Sequence, residues 1–190
     1  MSSISLHKWQ ESRRLELDEI VEAHRAVGGT GRGRRYATEQ VNRAYAVLLS
    51  SHFQGFCRDL HSECVQHIVQ EVPTALQIVL RSALEDYRDR GNADPEHLAK
   101  DFARLGLQKL WDKVSALDTR NEARRQLLKE LNNWRNAIAH QHFDPVKLGG
   151  HTTLRLSRVR GWRRACDQLA HAFDAVSRDY LGTLLGSHPW

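Results

Sequence analysis

The chain has 190 residues, 41% of them hydrophobic and 27% charged, the balance of a globular protein long enough to bury its own core. Lys and Arg outnumber Asp and Glu by 28 to 23, and Arg supplies most of the cations, which permits a nucleic-acid partner without demanding one. Three cysteines without CxxC spacing (Cys57, Cys64, Cys166), a start without an apolar leader and no run near the roughly 18 apolar residues of a spanning helix together point to the cytoplasm, with no disulfide framework and no membrane partner.

Helical periodicity dominates the chain. Leu6, Trp9, Leu17, Ile20, Val21 and His24 mark an opening helix that stops at Gly28-Gly29. Residues 28–35, GGTGRGRR, form the one low-complexity segment; without a GK[ST] ending it is no phosphate-binding P-loop. It reads as a flexible basic connector or as a loop touching an RNA backbone, with Arg34 and Arg35 as candidate substrate contacts.

A long helix is expected over residues 39–72, where Val41, Tyr45, Leu48, Leu49, Phe53, Phe56, Leu60, Cys64 and Ile68 recur every three or four positions, and Pro73 ends or kinks it. Leu76, Val79, Leu80, Leu84 and Tyr87 predict a third helix stopping near Gly91. Asp94-Pro95 has the look of an N-cap followed by proline in the first turn, opening a stretch through Phe102, Trp111 and Leu117 with a break at Gly106. Thr119 and Glu122 have capping-box spacing and open a fifth helix that reaches His140. Thr152 to Leu156 is a short β-like connection, too short to build a sheet on, and residues 162–185 form a closing helix. No repeat or linker divides the chain, so the expectation is an all-α, single-domain bundle of five to six helices over 1–190, with 1–38 as an N-terminal helix plus Gly/Arg loop and 39–190 as the core.

At about 100° per residue, the fifth helix gathers Leu127, Leu131, Trp134 and Ile138 into a core stripe. Asn132, Asn136 and His140 cluster on another face, with Arg135 at the border. Arg supplies a fixed cation with paired donors suited to a phosphodiester and its pentacoordinate transition state. His exchanges protons near neutral pH, as base on a ribose 2′-hydroxyl or acid on the leaving oxygen, and Asn can orient either partner. These groups suffice for RNA cleavage by internal transesterification without metal or cofactor. One His per chain is short of the acid and the base the reaction needs; two such helices across a symmetry axis would supply both, and Ala137 and Ala139 are small enough to let them approach. The plainer alternative is a surface arginine and a histidine at a helix C-terminus, where the dipole favours its cationic form.

The string from Leu131 to His140, LNNWRNAIAH, resembles the R-x4–6-H signature of HEPN domains, including the polar residue after Arg135 and the small-apolar-small run before His140. It is most similar to the bacterial RiboL-PSP-HEPN and MAE_28990-like groups. Residues 51–60 and the closing segment 162–180 with its tail 186–190 share the resemblance, which spans residue 39 to the C-terminus and leaves the first helix and Gly/Arg loop outside. The resemblance implies a helical bundle that homodimerises around a composite RNase site, with Arg135 and His140 as the catalytic pair and Asn136 as polar helper. Asn132 and His142 join Arg34 and Arg35 as candidate substrate contacts. It also implies an RNA substrate and an antitoxin or defence partner protein, many relatives being toxins or antiphage effectors; the alternative is a non-catalytic HEPN-like dimer that binds a partner enzyme or nucleic acid.

His52, Cys57, His61, Cys64 and His67 share the long helix, yet one straight helix rarely supplies enough ligands for zinc, so no metal is expected. Asp59 and Glu63 are candidates for facing the RNase cleft, and His52 is a third. Arg155, Arg158, Arg160, Arg163 and Arg164 form a dense run, read either as a solvated face or as a contact with RNA or an acidic partner.

Overall fold

The computed structural model describes residues 1–28, 34–85 and 92–190, the side chains of Arg34 and Arg35 apart, so the candidate contacts at those two arginines lie outside the described residues. Helix α1, Ile4–Lys8, runs through a π-helical turn at Trp9–Arg13 into α2, Arg14–Val27. Buried positions here repeat every fourth residue (Trp9, Arg13, Leu17, Val21), a spacing that drifts around a helix of 3.6 residues per turn. The wider π turn takes up that drift and keeps all four against the core.

Helix α3, Arg34–Gln70, is the spine of the bundle, and its Tyr45, Leu49, Phe53, Phe56 and Leu60 are wholly buried. Helix α4, Thr74–Glu85, follows Pro73 and packs beside α3, with Leu80 and Leu84 half-buried against the core and Leu76, Ile78 and Val79 exposed. Helix α5, Pro95–Arg104, opens as its sequence predicts: Asp94 accepts from the Glu96 amide at 3.0 Å and Pro95 occupies the first turn. Gly106 breaks the next stretch at φ 91°, and α6, Leu110–Leu117, follows.

Helix α7, Asn121–His140, does not open on the expected capping box. Thr119 contributes only its carbonyl, and Asp118 takes the capping role by accepting from the Arg120 amide at 3.0 Å and from the Arg124 guanidinium at 2.8 Å. The β-like connection is also absent: there is no strand among the described residues, because a lone extended segment has no neighbour to pair its backbone. Leu154 is instead a buried plug whose carbonyl accepts from Asn42 Nδ2 at 2.8 Å. The closing helix α8, Leu156–Leu185, starts six residues before Trp162. No described helix is long and apolar enough to cross a membrane.

Pairs of contacts set the directions. Ser50 meets Asn132 and Arg43 meets Phe143, so α3 and α7 are antiparallel; Tyr45 meets Arg163 and Phe53 meets Phe173, so α3 and α8 run parallel. The core between these three helices includes Trp134 packed on Trp162, and Phe102 and Trp111 on Phe173. The N-terminal segment is built into this core. Glu63 accepts from the Ile4 and Ser5 amides at 2.9 and 3.0 Å and from the Ser5 hydroxyl at 2.6 Å. Asp174 takes the Ser3 amide at 3.0 Å, and Asp59 pairs with Lys8 and with buried Arg13, whose guanidinium lies where a Cβ on residue 55, a glycine, would crowd it at 2.9 Å.

Candidate active site at the end of the motif helix

Helix α7 buries Leu128, Leu131 and Trp134, with Leu127 and Ile138 half-buried beside them. Asn132 belongs to this inner face. It is 2% exposed; its amide donates to the Ala93 and Leu128 carbonyls, and its oxygen accepts from Ser50. The substrate contact expected of Asn132 is therefore replaced by a tie between α3, α7 and the segment before α5.

Asn136 and His140 do come together. They line one open groove of about 330 Å³ with Asn133, Ala137, His142, Asp144, Lys147 and Leu148. His140 is exposed as the last residue of α7, and Gln141, at φ 53°, turns the chain out of the helix. His142 then lies across that turn on the same groove, its amide bonded to the Ala137 carbonyl at 3.0 Å. Asp144 accepts from the Val146 amide, and Asn133 reaches the Lys147 carbonyl at 3.3 Å, which shapes the far wall. Behind the loop, Phe143 packs on Trp134, with the Arg43 guanidinium 4.6 Å from its ring centre.

Arg135 is half-buried and is not one of the residues lining the groove. Its connection to the groove is Asn136: the Asn136 oxygen accepts from Arg135 Nη1 at 3.1 Å and from Asn92 Nδ2 at 2.8 Å. With both acceptor sites used, the amide nitrogen of Asn136 is the end left for a ligand, a donor matched to a phosphate oxygen. Among the described residues, no carboxylate pairs with Arg135. Asn92 was not legible as a site residue; it lies 44 positions away in a segment without a motif.

Asp59, Glu63 and His52 do not join this groove. They face α1 and α2, where Asp59 and Glu63 hold the N-terminal segment and His52 lies 3.2 Å from Glu16. Burial, partly countered by Glu16, lowers the His52 pKa. Among the described residues, no three His, Cys, Asp or Glu side chains gather as metal ligands would. The long-helix set is spread out: Cys57 and Cys64 are buried, His61 packs edge-on to Phe102, and His67 lies against Trp190. Burial pushes the Cys64 thiol up to about 12. In the arginine run, Arg158 bonds Glu130 at 2.6 Å and Arg163 bonds Asp18 at 2.7 Å and the Tyr45 oxygen at 3.2 Å, ties that fix α8 to α7, α2 and α3.

Neither the curated proteins nor the solved structures contain a match to this chain. One family model, RiboL-PSP-HEPN, matches residues 11–176. The match takes in the whole of α2 and the Gly/Arg segment, which the motif resemblance had left outside, and stops short of the tail 186–190. It contains α7 with its Arg135-to-His140 string, and it covers most of the chain. The chain belongs to the RiboL-PSP-HEPN family.

Proposed function

We propose that the protein is a metal-independent endoribonuclease that cleaves RNA at a site completed by two copies of the chain. The observation that carries this reading is the linkage through Asn136: one amide joins the Arg135 guanidinium to a groove holding an exposed imidazole. In the proposed step, one His140 removes the proton from a ribose 2′-hydroxyl as its oxygen bonds to phosphorus. The phosphorus–5′-oxygen bond breaks, and His140 of the second copy gives that oxygen a proton. Arg135 and the Asn136 amide stabilise the charge on the pentacoordinate phosphorane. The products are a 2′,3′-cyclic phosphate and a 5′-hydroxyl. Ala137 and Ala139 leave room for the paired helices, and a toxin or defence role with an antitoxin or other partner protein in the cytoplasm follows from the same reading.

The test is incubation of the purified protein with total RNA in EDTA, with end mapping of the fragments. Cleavage leaving cyclic phosphate ends, lost in Arg135→Ala and His140→Ala variants that remain folded, is expected. Full activity in both variants, or no cleavage by the parent, overturns the assignment.

A further inference from the structure

A second groove lies between α2 and α8, with a volume of about 470 Å³, lined by arginines that the motif helix does not use. On α8, Arg160, Arg164, Asp167 and His171 recur at spacings of four, three and four and so share one face; on α2, Arg14 and Asp18 stand opposite. Four guanidinium groups meet two carboxylates, and both carboxylates are engaged. Asp18 is bonded to Arg163 at 2.7 Å with Arg14 at 3.9 Å, and Asp167 accepts from Trp9 Nε1 at 3.1 Å. Burial additionally raises the Asp167 pKa above the ordinary carboxylate value. Among the described residues, Arg160 and Arg164 have no carboxylate partner. They are one helical turn apart, about 6 Å along the axis. Arg164 also lines the neighbouring groove toward α7, beside Arg124 and Leu127, so it stands on the ridge between the two.

The chemistry of this groove selects an anion with repeated charges. Its aromatic residues, Trp9 and Tyr45, are 3% and 0% exposed and offer no ring face on which a base could stack. Recognition here is by backbone charge, without base readout.

We propose that the α2–α8 groove binds the phosphate backbone of single-stranded RNA, with Arg160 and Arg164 as the contacts. The proposal rests on the reading of RNA as substrate and adds where the strand is held away from the cleavage site.

The test uses the full chain carrying His140→Ala and a fluorescein-labelled oligouridine, with binding read by anisotropy over a series of KCl concentrations. Adding Arg160→Gln and Arg164→Gln is expected to weaken binding about tenfold or more at low salt. It should also make the log–log salt slope shallower by about 1.4, two contacts at about 0.7 each on a single strand. Both arginines are outside the core and make no ion pair with a described carboxylate, so unfolding is not expected; Arg164→Glu alone, which should weaken binding further than Arg164→Gln, provides an independent variant. Unchanged affinity and slope, no salt-dependent RNA binding by the parent, or tighter binding of poly-glutamate than of oligouridine each overturns the proposal. Arginine-dependent RNA binding by a protein whose unsubstituted form cleaves nothing upholds the groove and removes the nuclease reading instead.

Discussion

Asn92 donates its side-chain amide to Asn136 at 2.8 Å, tying the segment before α5 to the motif helix, and the acceptor is the same oxygen that receives Arg135. The bond fixes which end of the Asn136 amide faces the groove. Asn92→Ala removes one donor of a pair, a loss of about 1 kcal/mol in stability. Its expected effect on RNA cleavage is larger, about a tenfold fall in kcat with little change in KM, since orientation rather than binding is lost. Asn92→Asp, which sets a carboxylate against the Asn136 oxygen, should be worse than alanine. Steady-state kinetics of both variants check this, and a fall confined to KM counts against the positioning role.

Glu63 is the clasp of the N-terminal segment, with three donors on one carboxylate. Glu63→Ala is expected to cost about 2 kcal/mol, which for a chain of this length lowers Tm by about 4–8 °C. The variant should also become sensitive to trypsin at Lys8, now paired with Asp59. Unaltered Tm and digestion pattern would show that the clasp is dispensable.

Gly106 adopts φ 91°, and a Cβ there would collide with the Tyr180 hydroxyl, which donates to the Leu105 carbonyl at 2.5 Å. Gly106→Ala therefore combines left-handed strain with a clash, about 2–3 kcal/mol in all. Tyr180→Phe removes the clashing atom at the cost of one hydrogen bond. The double variant is expected to be less destabilised than the sum of the singles by about 1 kcal/mol, measured by urea unfolding. Strict additivity would falsify the proposed contact.

Two half-buried carboxylates predict opposite responses to pH. At Asp167, burial is the largest influence and raises the pKa above the ordinary carboxylate value. Its folded form holds the proton more tightly, so ionisation costs stability, and the cost develops as pH rises from about 3.9 through the raised value. At Asp59, burial again pushes upward, but the bonds from Lys8 and Arg13 outweigh it and hold the pKa low. That stabilisation is present above about 3.9 and is lost as pH falls through the depressed value. Asp167→Asn should thus have its most favourable Tm difference from the parent near neutral pH, shrinking toward about pH 4. Asp59→Asn should be less stable than the parent at neutral pH and approach it only in stronger acid. Thermal melts across the acid range check both, and a constant Asp167→Asn difference refutes the assignment.

Regular periodicity made the helices legible, and α5 announced its own start through Asp94-Pro95. What escaped was decided by neighbours distant in the chain. Asn132, Asn136 and His140 share a four-residue spacing, but each step of four leaves about 40° of rotation, so Asn132 and His140 end about 80° apart. That is enough to put Asn132 under Ser50 while His140 meets solvent. Thr119 and Glu122 carry the letters of a capping box, yet Asp118, one residue further from the helix, is the side chain that accepts from the amide just ahead of it. The residues 152–156 have β-branched composition without a partner strand. Asp59 and Glu63 looked available for a cleft because nothing local shows that an N-terminal segment more than fifty positions away will occupy them.

The three sulfhydryls also have a practical consequence. Cys57, Cys64 and Cys166 are all sealed in the interior, where burial suppresses their reactive thiolate forms. Mild oxidants and maleimides should leave the native protein untouched, so a cysteine introduced on the outer surface would be labelled selectively. Spin or fluorophore labels placed that way on α7 can test whether two copies pair through that helix without first stripping the chain of its own sulfur.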